Sequence, residues 1–177
     1  MLFDFFYIVS ELKKVPRKGW KEKVGINHPE SVADHSYGTA IMAMIFSDNA
    51  GNIDTERIVK MALLHDLAES ITGDFIPGEI KKENKKTVEN QAMEEILSKL
   101  PSRLSDKYRS LWKEYVDCTS KESILLHEID RLEMAIQAAK YSGEGFPKEK
   151  LQEFVKSARR EIKSKELIEV LDEISYK

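Results

Sequence analysis

Cysteine is almost missing from this 177-residue chain, with Cys118 as the only one. An internal disulfide, a thiolate zinc cluster and a CxxC redox pair are therefore excluded, and any metal must be held by histidine and carboxylate. Cys118 itself reads as a small buried apolar residue. Positive charge is not in excess either: 28 Lys and Arg face 31 Asp and Glu, a formal net charge of -3. No global field is present to recruit a nucleic-acid polymer or an anionic membrane. Long apolar runs are lacking, the longest falling far short of the roughly 20 residues that cross a bilayer. The N-terminal Met1-Leu2-Phe3-Asp4-Phe5-Phe6 carries no basic n-region. These absences predict a cytoplasmic protein.

Glycine and proline are scarce, 8 and 5 residues, and Leu, Ile, Ala, Glu and Lys fill the intervals between them. With 41% hydrophobic and 33% charged residues, the chain has enough material for a core and a solvated surface. Apolar positions recur at three- and four-residue spacing through Phe5–Leu12, Ala40–Phe46, Ile58–Leu67, Val88–Leu100, Ile124–Ala139, Leu151–Ala158 and Leu167–Ile174. Strict alternation is rare. The pattern predicts an all-α bundle of roughly six to eight helices in one domain over residues 1–177, with a core near 12–142 and a helical extension near 147–175.

The breaks have their own chemistry. Val15–Glu30 is the one long irregular stretch, holding Pro16, Gly19, Gly25 and Pro29. Asn49-Ala50-Gly51-Asn52 closes one helix and Asp54 caps the next. Thr119-Ser120-Lys121-Glu122 matches a capping box, and Pro101 reads as a helix stop. The Lys81–Lys86 segment, interleaved with Glu83 and Asn84, reads as a solvated helix face.

Chemistry concentrates in Met61-Ala-Leu-Leu-His65-Asp66-Leu-Ala-Glu69-Ser-Ile-Thr-Gly73-Asp74. On a helix His65 and Asp66 lie about 100° apart, and Glu69 follows on the same side. Three ionisable groups thus crowd one edge next to an apolar stripe, where desolvation is costly. The alternative is a helix end reaching solvent. His35, early in a helix, and Asp130, flanked by apolar residues, complete a set of two imidazoles and two carboxylates. Taken singly, His35 also reads as a core histidine and Asp130 as half of a salt bridge. Together they suit one divalent cation of the manganese, cobalt, nickel, iron or zinc type better than calcium.

In order and in type, His35, His65-Asp66 and Asp130 resemble the pattern of the HD-domain phosphohydrolases. The run His65-Asp66-x-x-Glu69-x-x-Thr72-Gly73-Asp74-x-x-Pro77 is similar to the signature of their 5′-deoxynucleotidase branch. Val15–Trp20 and Pro29–His35 resemble the same branch, and the likeness spans roughly Leu12 to Ala138. The resemblance implies a helical HD-domain bundle around one divalent metal, with magnesium added to the cations above. It implies His35, His65, Asp66 and Asp130 as metal ligands, Glu69 and Asp74 as catalytic residues, and a homodimer.

A bound divalent ion lowers the pKa of a coordinated water from 15.7 toward about 7 and polarises a phosphoryl oxygen. The expected reaction is therefore attack of such a water on a nucleoside 5′-monophosphate, deoxyribonucleotides preferred, giving nucleoside and phosphate. Arg17 offers a guanidinium for phosphate and Trp20 an indole for sugar or base, with Lys14 and Lys18 as alternatives to Arg17 and surface packing as the plainer role for the pair. His28 reads as a loop histidine, and His127, one turn before Asp130, as a core or supporting residue. Two other readings compete. One keeps the metal and changes the substrate to a cyclic nucleotide, a triphosphate or an alarmone; the other is a non-catalytic helical binding protein whose His and Asp residues satisfy a polar core.

Overall fold

A computed structural model describes residues 2–174; Met1 and residues 175–177, with the last residue of the expected C-terminal extension, lie outside the described residues. The helices run α1 Leu2–Glu11, α2 Val32–Ala50, α3 Thr55–Leu64, α4 Glu69–Thr72, α5 Lys82–Leu97, α6 Ser102–Asp117, α7 Lys121–Gly143, α8 Lys148–Glu161 and α9 Lys165–Ile174. A 3₁₀ turn at Leu12–Lys14 and a π-helical turn at Trp20–Val24 interrupt the N-terminal part. The all-α architecture is as expected, although nine α-helices among the described residues exceed the six to eight anticipated.

The additional long helix is α6. Its Pro101 is the N-cap residue of a new helix and not only the end of the old one, since proline loses no needed hydrogen bond at a helix start. Other boundaries follow side-chain chemistry. Ser31 and Asp34 form a capping box at the start of α2, and Asp54 accepts a hydrogen bond from Arg57 N at the start of α3. At α7 the capping box shifts by one residue from the expected one: Ser120 pairs with Ser123. Glu122 is freed from that role and accepts from Asp54 N at 3.0 Å, tying α7 to α3.

Helices α2, α3 and α7 pack together at the centre, with α8 and α9 laid against α7. Ile58, Met61, Leu126, Ile129 and Leu132 are fully buried between them. A second apolar cluster joins Trp20, Val24 and Ile26 to Ala138, Tyr141 and Leu151. The C-terminal segment therefore packs on its own chain. Cys118 departs from expectation: it is exposed, at φ 51°, capping α6 in a left-handed conformation. Among the described residues no helix is long and apolar enough to cross a membrane.

Candidate metal centre

Three local devices bring distant residues together. The segment before α2 is pinned by an antiparallel bridge, with Arg17 N donating to Glu30 O at 3.0 Å and Val32 N to Val15 O at 2.8 Å. Arg17 is thereby set beside the first turn of α2, which carries His35. Helix α3 ends at Leu64, so His65 and Asp66 lie in a turn beyond it and not within a continuous helix as the periodicity suggested. Hydrogen bonds there run three residues back, from Leu67 N to Leu64 O and from Glu69 N to Asp66 O. This tighter winding carries about 120° per residue. Finally, Gly73 adopts φ 73° after α4, a conformation that favours glycine, and the chain turns so that Asp74 accepts from Lys18 N at 2.6 Å.

The result is a convergence of donor atoms. His35 Nε2 lies 3.3 Å from His65 Nε2, 3.1 Å from Asp130 Oδ1 and 3.7 Å from Asp66 Oδ2. His65 Nε2 lies 3.3 Å from Asp66 Oδ2. Ligand atoms of His35, His65 and Asp66 fall within 4.8 Å of one another. The outer nitrogens are committed elsewhere: His65 Nδ1 donates to Ala62 O at 2.7 Å, and His35 Nδ1 meets Glu133 Oε2 at 2.5 Å.

Electrostatics record the crowding. Burial and the Arg17 charge oppose a charged His35, but Asp130 and Glu133 overcome them and raise its pKa to about 10. Burial opposes ionisation of Asp66 and Asp130, yet the imidazoles beside them hold both carboxyls well below the usual range. Glu69 behaves oppositely: burial, then the charges of Asp66 and Asp74, push it up to about 10. Its Oε2 is buried without a hydrogen-bond partner. Lone pairs and carboxylates gathered this closely need positive charge between them. A proton on His35 supplies one unit, and a divalent cation suits the same N,N,O,O donor set.

Beside this cluster opens a cleft of about 720 Å³, lined by His65, Asp66, Glu69, Asp74 and Asp130 on one side and by Lys85 and Phe154 on others. Such a volume is usual for a small-molecule site. Arg17 reaches into it, donating from Nη1 to Asp66 Oδ2 at 3.2 Å and lying 4.0 Å from Asp74 Oδ1. Trp20 is the exception among the expected site residues. It borders the cleft but is fully buried, its Nε1 donates to Glu30 Oε1 at 2.8 Å, and its rings pack on Phe154 and Tyr141. Without exposed surface it packs behind the cleft wall. His28 is exposed. His127 stacks on Tyr115 at 4.3 Å and bonds Tyr115 O.

Two features escaped sequence reasoning. Lys85, read as part of a solvated face, is half-buried in the cleft wall beside Glu89. Glu133 follows Asp130 by three residues, a spacing that puts both on one face of α7; that spacing was the available signal.

The HD domain family pattern matches residues 9–170 of the chain. A human protein named 5′-deoxynucleotidase HDDC2 is 37% identical over 174 residues, covering 98% of this chain and 84% of that one. A Saccharomyces cerevisiae protein named 5′-deoxynucleotidase YGK1 is 31% identical over 168 residues, covering 92% and 76%. Among solved structures, a conserved hypothetical protein from Pyrococcus furiosus matches with a TM-score of 0.82 at 32% identity, covering 99% of each chain.

Proposed function

The chain belongs to the HD domain family, and we propose that it is a metal-dependent 5′-nucleotidase. It hydrolyses nucleoside 5′-monophosphates, deoxyribonucleotides foremost, to nucleoside and inorganic phosphate. The observation that carries this reading is the meeting of His35, His65 and Asp66, with Asp130 against His35 Nε2, at the edge of a nucleotide-sized cleft. Relatives named 5′-deoxynucleotidases across 98% and 92% of this chain support the substrate class.

His35, His65, Asp66 and Asp130 would hold the cation, through imidazole nitrogens and carboxylate oxygens. When bound, a divalent ion of the manganese or cobalt type supplies a water of lowered pKa and Lewis-acid polarisation of phosphate. Arg17 provides fixed positive charge for the phosphoryl oxygens, because burial opposes its charge but the carboxylates of Asp66, Asp130 and Asp74 outweigh it and keep the guanidinium protonated throughout the working pH range. Glu69, buried with its Oε2 unpartnered, is the carboxyl that exchanges a proton with the attacking water or the leaving 5′-oxygen. Asp74, held by Lys18 N at one oxygen and 4.0 Å from Arg17 Nη1 at the other, is the second catalytic carboxylate of the cleft wall. Lys85 adds a cation to the cleft wall, which offsets the charge of the carboxylates there for an anionic substrate.

We further propose a cytoplasmic homodimer. An apolar stripe of Tyr37, Ile41, Met44 and Ile45 lies exposed along one face of α2, the kind of surface that a second copy covers.

Phosphate release from a panel of deoxy- and ribonucleoside monophosphates, cyclic nucleotides and triphosphates, with manganese or cobalt present, tests the function. Turnover of 5′-monophosphates, faster for the deoxy series, is expected. Activity confined to cyclic nucleotides or triphosphates would replace the monophosphate reading.

A further inference from the structure

We propose that Glu133 is a positioning residue for His35 and that Gly38 exists to admit it. The proposal rests on the reading of His35 Nε2 as a metal-facing donor. Glu133 is buried on α7, one turn beyond Asp130, and its Oε2 lies 2.5 Å from His35 Nδ1. Asp130 Oδ1 lies 3.1 Å from Nε2 of the same ring. Two carboxylates from one face of α7 therefore grip the imidazole at both nitrogens. Nδ1–H donates to Glu133, which fixes the ring's orientation and tautomer and turns Nε2 toward the centre.

Gly38 explains how the carboxylate gets so close. Glycine inside a helix is less favourable than alanine, and Gly38 sits well within α2 without a positive φ. Its conformation therefore does not require glycine. Space does: a Cβ at position 38 would stand 3.0 Å from Glu133 Oε1 and 3.3 Å from Glu133 Cγ. None of the other seven glycines shows such a close approach, and the five with positive φ meet nothing within 4 Å. Gly38 also lies three residues after His35, on the same side of α2. The missing side chain is thus a slot through which Glu133 reaches His35.

A methyl group in that slot meets side-chain atoms of Glu133 and no backbone atom, so Gly38→Ala keeps the fold while moving the carboxylate off Nδ1. The test is the affinity of folded, metal-stripped protein for Co²⁺ alone, read by optical titration, with thermal melting of the stripped protein alongside. Glu133→Gln, which preserves volume, serves as the second variant. We expect Co²⁺ affinity to fall roughly 10- to 100-fold in Gly38→Ala and Glu133→Ala, and less in Glu133→Gln, whose amide oxygen still accepts from Nδ1. Stripped Gly38→Ala should still melt in one cooperative transition, at a lower temperature because the buried carboxylate loses its partner. Wild-type affinity in folded Gly38→Ala and Glu133→Ala would overturn the proposal. If the wild-type protein itself takes up no Co²⁺, the metal reading of His35 fails and this inference falls with it, a result distinct from selective loss in the variants.

Discussion

His35 and His65 point their Nε2 atoms at each other across 3.3 Å while each ring anchors its Nδ1 away from the centre. In the metal-free protein a proton on His35 makes this approach tolerable, since its pKa is raised to about 10 under the pull of Asp130 and Glu133 against burial and Arg17. A cation taken up at Nε2 must expel that proton. Between pH 7 and 9, Mn²⁺ or Co²⁺ binding should release protons, that of His35 among them, and affinity should climb with pH over that range. Calorimetric titration in two buffers of different ionisation enthalpy measures the release.

Arg17 contacts Asp66 through one nitrogen and Met134 Sδ through another. Arg17→Lys keeps the charge but loses the planar fork. With a charged hydrogen bond worth about 1.5–3 kcal/mol, kcat/KM for a monophosphate should fall roughly 10- to 100-fold. Bound metal, measured by elemental analysis, should stay at the wild-type level.

Trp20 separates packing from substrate contact. Trp20→Phe removes the indole N–H that Glu30 accepts while leaving an aromatic ring against Phe154 and Tyr141. Losing a partner of a buried carboxylate costs about 1–3 kcal/mol, so Tm should drop by roughly 3–10 °C. KM for the nucleotide should move little, whereas a sugar or base contact would raise it severalfold.

Glu30 makes stability fall with rising pH. Burial and then the Glu133 charge raise its pKa to about 7, against the Trp20 hydrogen bond. The folded chain keeps this proton until about pH 7, while the unfolded chain releases it near the ordinary glutamate value of 4.5, so stability is lost across that window. Glu30→Gln has nothing to titrate and still offers an oxygen to Trp20. Melting curves of metal-free protein should coincide below pH 4.5 and diverge in favour of the variant above it.

Much of this arrangement is legible in the chain itself. Residue type and order single out His35, His65, Asp66 and Asp130, and three- to four-residue periodicity finds most helices. What escapes has physical causes. The local winding that ends α3 at Leu64 depends on hydrogen bonds three residues back, which apolar periodicity does not encode. Pro101 serves both as the end of one helix and the cap of the next. Trp20 carries a polar handle that suits a ligand or a buried carboxylate equally, and only the position of Glu30 decides between them. Gly38 is understood only when α7 brings Glu133 against it, a contact across 95 positions of sequence.

The most direct test is phosphate release from a deoxyribonucleoside 5′-monophosphate by metal-stripped protein titrated with Mn²⁺ or Co²⁺. Activity should be absent without metal, rise to a plateau at one equivalent per chain, and stay absent in Asp130→Ala at the same metal concentration. Equal phosphate release by stripped and loaded protein, or an Asp130→Ala variant as active as wild type, would contradict a metal centre built by His35, His65, Asp66 and Asp130.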